Sequence, residues 1–236
     1  VSFAASPIRW LASFALAVAL HAPAAAADWQ FEISTATDKV SRGMDLSDGR
    51  PSATLAASWY PGNGFFAGVS ASSVRVFPAA PAGVEFSTDV GYAWRTVDDW
   101  SVGLMLSHYQ FLGGSEAARY NYDELVLTTG WHDLVFASVA VSPDTAFGWS
   151  PRSFAVSYDL VGHVPLVHGW MATAGIGYYD LHSVTGSGYV YGDAGLTYQY
   201  RALQFDLLYV LTNGEAKKQF GSSVSDRWVA DVIWHF

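Results

Sequence analysis

Residues Val224 to Phe236 read VSDRWVADVIWHF, and this stretch decides the fold. Successive side chains of a strand point to opposite sides, so Phe236, Trp234, Val232, Ala230 and Trp228 share one face. His235, Asp231 and Arg227 share the other with Ile233 and Val229. One face is apolar and aromatic to the last residue, while its reverse carries ionisable groups. Such a strand fits a wall between an apolar phase and a polar space.

The same period of two runs through the chain. Trp29, Phe31 and Ile33 alternate with Gln30, Glu32 and Ser34, and Leu55, Ala57 and Trp59 alternate with small polar residues. Read this way, twelve strands are expected, near 28–38, 51–60, 65–75, 84–94, 100–110, 121–131, 134–141, 153–161, 169–179, 189–199, 202–211 and 225–236. Connections alternate between short ones, such as Pro61 to Gly64 and His132-Asp133, and longer polar ones at 39–50, 76–83, 111–120, 142–152, 180–188 and 212–224. Gly162 to His168 reads as a somewhat longer turn at the short end.

Composition narrows the class. Of 236 residues, 51% are hydrophobic and only 14% charged, against about 25% charged in an ordinary soluble domain. The balance of 12 basic against 21 acidic residues leaves no basic footprint for nucleic acid. There is no cysteine, which excludes disulfides and cysteine-ligated zinc.

The first 27 residues stand apart. Arg9 is their only charge, Trp10 to Leu20 is an apolar run, and Ala25-Ala26-Ala27 supplies an A-x-A site, the three parts of a secretory signal peptide. That run is too short to cross the roughly 30 Å hydrocarbon core as a helix. Val1 reads as an alternative start taken literally, and the mature domain is expected at 28–236, with no helical span within it.

Three features assign the apolar face to lipid. The polar faces are built from Gly, Ser, Thr, Ala and acids, and all three lysines, Lys39, Lys217 and Lys218, fall in long loops. Trp29, Trp59, Trp94, Trp100, Trp131, Trp170 and Trp234 cluster at the short-turn ends, as an interfacial girdle would. Tyr109, Tyr122, Phe154, Tyr178, Tyr189 and Tyr209 at the other ends are expected to form a second girdle. Segments near ten residues match the 9 to 11 or so that a tilted strand needs to cross a bilayer. The chain is therefore expected to be a 12-stranded antiparallel transmembrane β-barrel. Its final strand resembles the closing strand of bacterial outer-membrane barrels. That resemblance implies Trp234 and Phe236 as the assembly signal for the barrel-assembly machinery, and a location in the outer membrane.

Arg42-Gly43, Ser47-Asp48-Gly49-Arg50-Pro51 and the Gly64-Phe65-Phe66-Ala67-Gly68 strand start resemble the opening of the TorF family of porins. Lys39 and Ser41 stand where that family commonly has aromatic residues. Through Tyr92 and the Asn121 to Leu125 strand, the resemblance covers most of the mature chain. It implies an outer-membrane barrel conducting small solutes and supplies neither catalytic residues nor a substrate; no cofactor is expected.

Strand parity sends Glu32, Glu85, Asp89, Glu124, Asp159, Asp193, Asp206 and Asp231 inward against Arg95 and Arg227. Acids in excess favour cations in a water-filled path, so the expected function is passive diffusion of small solutes with cation preference. A plugged barrel is the alternative, since narrow barrels can be filled by side chains, and a structural or adhesive barrel that displays its loops is another. Arg42, Asp45, Asp48 and Arg50 cluster in the first long loop. They read first as a solvated surface loop touching lipopolysaccharide, and second as a pore-mouth element folding inward. A lipid-modifying hydrolase finds little support, because Ser107 and His108 are sequence neighbours and point to opposite faces. His163 and His168 read as solvated turn residues with no third metal ligand nearby, and Gly186-Ser187-Gly188 opens no phosphate-binding helix.

Overall fold

The computed structural model describes residues 28–75, 83–96, 98–114, 116–145 and 151–236. The expected signal segment, 1–27, and parts of the loops expected at 76–83 and 142–152 lie outside the described residues. Twelve strands close into one antiparallel barrel: β1 (Asp28–Ala36), β4 (Ser52–Tyr60), β5 (Phe65–Val74), β6 (Gly83–Arg95), β7 (Trp100–Leu112), β8 (Tyr122–Trp131), β9 (Val135–Thr145), β10 (Ser153–Pro165), β11 (Trp170–Asp180), β12 (Tyr189–Tyr200), β13 (Leu203–Thr212) and β14 (Arg227–His235). Two further short strands, β2 (Val40–Ser41) and β3 (Met44–Asp45), make a separate hairpin in the first long loop.

Each barrel strand pairs with its neighbours in the chain, and β1 closes the circle against β14, with Glu32 opposite His235 and Ile33 opposite Trp234. Past the end of β14, Phe236 and Phe31 exchange both backbone hydrogen bonds at 3.0 Å and bring their rings to 5.8 Å. Closure removes the unpaired edge that an open sheet would expose.

Alternation sorts the two faces. Leu55, Leu104, Leu127, Ile176 and Leu207 are among the exposed outward side chains, while Ser72, Ser107, Thr128, Ser157, Thr197 and Gln204 are buried inside. This inverts a soluble barrel, and it is stable only where the outer face meets an apolar phase. The seven tryptophans of the short-turn end all point outward; Trp29 faces Trp59 across β1 and β4, and Trp100 faces Trp131 across β7 and β8.

The second aromatic girdle differs from expectation. Phe154 and Tyr209 are exposed on the outside, but Tyr109 and Tyr189 are buried and Tyr122 stacks on Tyr109 with centroids 4.5 Å apart. These three rings share parity with inward residues such as Ser107, Glu124 and Tyr191, so strand geometry carries them into the lumen. His163 also departs from the turn expected for it. β10 continues to Pro165, so His163 stays in the ladder opposite Thr173, buried, with its Nδ1 3.0 Å from the Thr173 hydroxyl.

The loops carry structure that the period of two did not reveal. A helix spans Gly214–Phe220, begun by Asn213, whose side chain accepts the Ala216 N–H at 3.1 Å. Lys217 of this helix bonds Asp226 at 2.8 Å, which holds that exposed carboxyl below the usual carboxylate range, together with the Thr212 N–H.

Candidate functional site

The β2–β3 hairpin occupies the middle of the barrel. Arg42 and Gly43 form its two-residue turn, both with positive φ (50° and 76°), the geometry of the tight turn whose twist matches two antiparallel strands. Gly43 has no room for a side chain: a Cβ there would lie 2.6 Å from Thr212 Cγ2 and 3.0 Å from Tyr191 Cβ. Below the turn, Asp45 accepts the N–H groups of Ser47 and Gly49, each at 2.7 Å, and the Ser47 hydroxyl accepts from Lys39 N at 2.9 Å. The Ser47-Asp48-Gly49 segment is thus a wrapped turn around one carboxylate, which explains the polar and glycine residues at these positions.

Three apolar side chains dock the hairpin on three parts of the wall. Val40 packs with Val210 and Val229, Met44 against the cluster of Tyr179, Tyr189 and Tyr191, and Leu46 against Val74, Tyr109 and Phe111.

Its charges then cross the lumen. Arg42 forms a two-pronged pair with Glu124, at 2.7 and 2.9 Å, with both side chains buried. The guanidinium also lies over the Tyr179 ring at 4.7 Å, and Tyr189 donates to the Arg42 carbonyl at 3.0 Å. Lys39 Nζ meets Glu85 at 2.6 Å, again with both buried. Asp45 pairs closely with Arg227, which also reaches Asp38 at 3.5 Å. Burial and the adjacent Asp45 push the Asp38 carboxyl up, against the pull of Arg227.

These positions correct the first reading of the 39–50 loop as a solvated surface segment. Arg42 and Asp45 face inward and are tied to the wall, whereas Arg50 is exposed and Asp48 occupies a turn with φ 57°. Two residues of this centre were missed in sequence. In sequence Lys39 stands in a long loop without a role, and Tyr179 is not singled out. The available signal was Val40, Met44 and Leu46 around Arg-Gly, which marks a hairpin with an apolar side needing cover.

The inward acids fall into two groups. Glu85 and Glu124 are neutralised by the hairpin cations. Of the others, Asp159 accepts from Tyr191, Asp206 from Thr197 and Gln204, and Glu32 sits 3.6 Å from His235 Nδ1. Asp89 accepts from Ser107 at 2.6 Å and Ser87 at 3.3 Å. Asp193 Oδ2 and Asp231 Oδ1 are buried with no hydrogen-bond partner among the described residues, as expected of groups that face water or an ion. Arg95 pairs with Asp133 at 2.8 Å at the short-turn mouth, and Ser107 and His108 do face opposite sides, His108 meeting Asp123 outside at 2.7 Å.

The hairpin leaves an eccentric space. A cavity of about 120 Å³ runs along β1, β4 to β7 and β14, lined by acids (Glu32, Glu85, Asp89, Asp231) and by a hydroxyl wall. That wall is cross-linked between strands: Thr54 to Ser72 at 2.9 Å and Ser70 to Ser87 at 2.8 Å. Tyr179, Leu181, Tyr189, Tyr191, Ala216 and Val224 pack the opposite half, which keeps a smaller cavity of about 70 Å³ beside Arg42, Tyr122 and Tyr179.

Substituting Gly43 by valine should expel this hairpin, because it adds a clash at 2.6 Å and strain at a positive φ. In the folded wild type Arg42 is buried and trypsin should not cut after it. Cleavage at Arg42 should appear in Gly43→Val, read by mass spectrometry; an uncut variant would show that the turn tolerates a side chain.

A closed 12-stranded barrel, apolar outside and polar within, crossed by an inward hairpin, defines a protein with the fold of an outer-membrane porin. The chain belongs to the Gcw_chp family of bacterial proteins of unknown function, whose model matches residues 21–236. Among solved structures, it is similar to the KdgM porin, with TM-score 0.57 and 10% identity over 88% of this chain and 99% of that one. It is also similar to the NanC porin, with TM-score 0.59 and 10% identity over 86% and 97%. A further structure of KdgM, in complex with disordered oligogalacturonate, matches with TM-score 0.57 and 9% identity over 88% and 99%. At such identities the likeness is one of fold. No curated protein matches the sequence.

Proposed function

We propose that the protein is a narrow diffusion channel of the outer membrane, exported by the segment 1–27, which passes small solutes with a preference for cations. The observation that carries this reading is the eccentric cavity, where Glu32, Asp89 and Asp231 join a hydroxyl wall while the hairpin cations are spent on Glu85 and Glu124. Among the described lining residues four carboxylates stand against one ammonium, Lys39, an excess that creates a negative potential, concentrates cations and repels anions. An oligogalacturonate ligand, as in the KdgM complex, is polyanionic, and this wall is of the wrong sign for it. The resemblance of the first loop to TorF porins belongs to the same reading. Insertion through the barrel-assembly machinery and contact of the outer rim with lipopolysaccharide follow from it.

A second reading has its own observation. The hairpin crosses the lumen with three sets of ion pairs, so a closed, purely structural barrel is the alternative. An enzymatic role has no comparable support, since Ser107 and His108 are on opposite faces of the wall.

Planar-bilayer recording decides between them. The purified barrel in a potassium chloride gradient should give small channels whose reversal potential shows cation preference, and Asp231→Asn should weaken it. Reversal on the anion side removes the selectivity claim, and silence in every preparation leaves the closed barrel.

A further inference from the structure

The cavity beside the hairpin holds one feature that cation preference alone does not explain: the chain fills part of it with its own ammonium group. Lys39 Nζ lies 2.6 Å from Glu85 Oε1, and both side chains are more than nine-tenths buried. Glu85 faces the cavity together with Asp89, Ser87, Ser72 and Tyr109. A buried carboxylate is stabilised by a hydrogen-bonding cation, and here that cation arrives on a slim four-carbon stem.

The shape and chemistry are therefore those of a primary-ammonium site. We propose that Glu85 is the recognition site of the lumen for linear alkylammonium solutes, and that Lys39 is its resident competitor, displaced when such a solute enters the cavity. Lys39 is suited to this role and Arg42 is not. Arg42 is fixed by a two-pronged pair, a ring and the constrained turn, whereas the Lys39 ammonium, on a flexible stem with three rotatable donors, has one ion-pair contact among the described residues. The acids Glu32, Asp89 and Asp231 along the same wall provide the cation-attracting approach, and the serine and threonine hydroxyls that line the cavity offer acceptors for the other protons of an incoming ammonium. The site so defined discriminates by donated hydrogen bonds: a quaternary ammonium has charge but no N–H.

This inference rests on the lumen admitting solutes, and the experiment separates the two. Calorimetric titration of the folded barrel in detergent, at constant ionic strength, uses n-butylammonium, which has the length of the lysine side chain, with tetramethylammonium as the control. Lys39→Ala should bind n-butylammonium about tenfold more tightly than the wild type, the value of one charge-assisted hydrogen bond no longer contested. Adding Glu85→Gln to it should abolish that gain, and tetramethylammonium should bind none of the three. Equal binding by wild type and Lys39→Ala, or retained binding in the double variant, overturns the proposal. Should Lys39→Ala fail to fold, judged by its migration in unheated gels, Lys39→Met keeps the stem volume. It should then bind methylammonium in a Glu85-dependent way, and absence of that binding overturns the proposal equally. Binding without bilayer conductance leaves the site standing and removes the channel; conductance without binding does the reverse.

Discussion

Arg42→Ala is expected to destabilise the barrel by about 3–5 kcal/mol and, where the lumen conducts, to enlarge its single-channel conductance. The size of the effect comes from what is left behind rather than from what is removed. Glu124 is 2% exposed, and its two oxygens are held by the guanidinium at 2.7 and 2.9 Å. Without Arg42 that carboxylate must be protonated, recruit water or force the wall open, and each route costs free energy. The Tyr179 ring loses its cation, while the backbone carbonyl of residue 42 that accepts from Tyr189 is retained. Denaturant unfolding followed by tryptophan fluorescence gives the first quantity, and bilayer recording the second. Arg42→Ala combined with Glu124→Ala should recover part of the stability but not the narrow conductance, because the hairpin remains untied. A single variant as stable as wild type, with unchanged conductance, would mean the hairpin is held by its apolar contacts alone.

Leu127→Arg is expected to prevent or severely weaken assembly, by about 2–4 kcal/mol for a cation near the bilayer midplane. Leu127 is exposed on the outer wall, in register with Leu104 on one side and Val139 on the other. In water, an exposed arginine in place of an exposed leucine would be harmless or favourable. In hydrocarbon it must snorkel or carry water with it. Refolding yield into lipid vesicles, read by heat-modifiable gel migration, is the measurement. Ordinary yield from Leu127→Arg would show that this face does not meet lipid, and the membrane assignment would fall with it.

Much of this molecule was legible before any coordinates. The alternation of Phe236, Trp234, Val232 and Trp228 against His235, Asp231 and Arg227 placed each residue on the correct side of the wall, and the pairing of β14 with β1 follows from closure. The inward parity of Glu32, Asp89 and Asp193 was equally visible. Tyr109, Tyr122 and Tyr189 were assigned to the outer rim on residue type, although their own parity pointed inward. The reading of Gly162 to His168 as a turn put His163 there, yet the ladder continues through Val164 opposite Ala172 and Pro165 opposite Met171.

The sequence by itself determined a membrane-spanning pattern and a closed antiparallel barrel, because a strand's side-chain period is local and lipid demands one apolar face without exception. It could not determine the contents of the lumen. Whether Lys39 and Arg42 hang in solvent or cross to Glu85 and Glu124 depends on residues 46 and 82 positions away, brought within reach only when the wall has closed. The tertiary structure decided that the first loop turns inward, since only the closed barrel offers Val210, Val229 and Tyr189 as cover for its apolar side and two buried carboxylates for its charges.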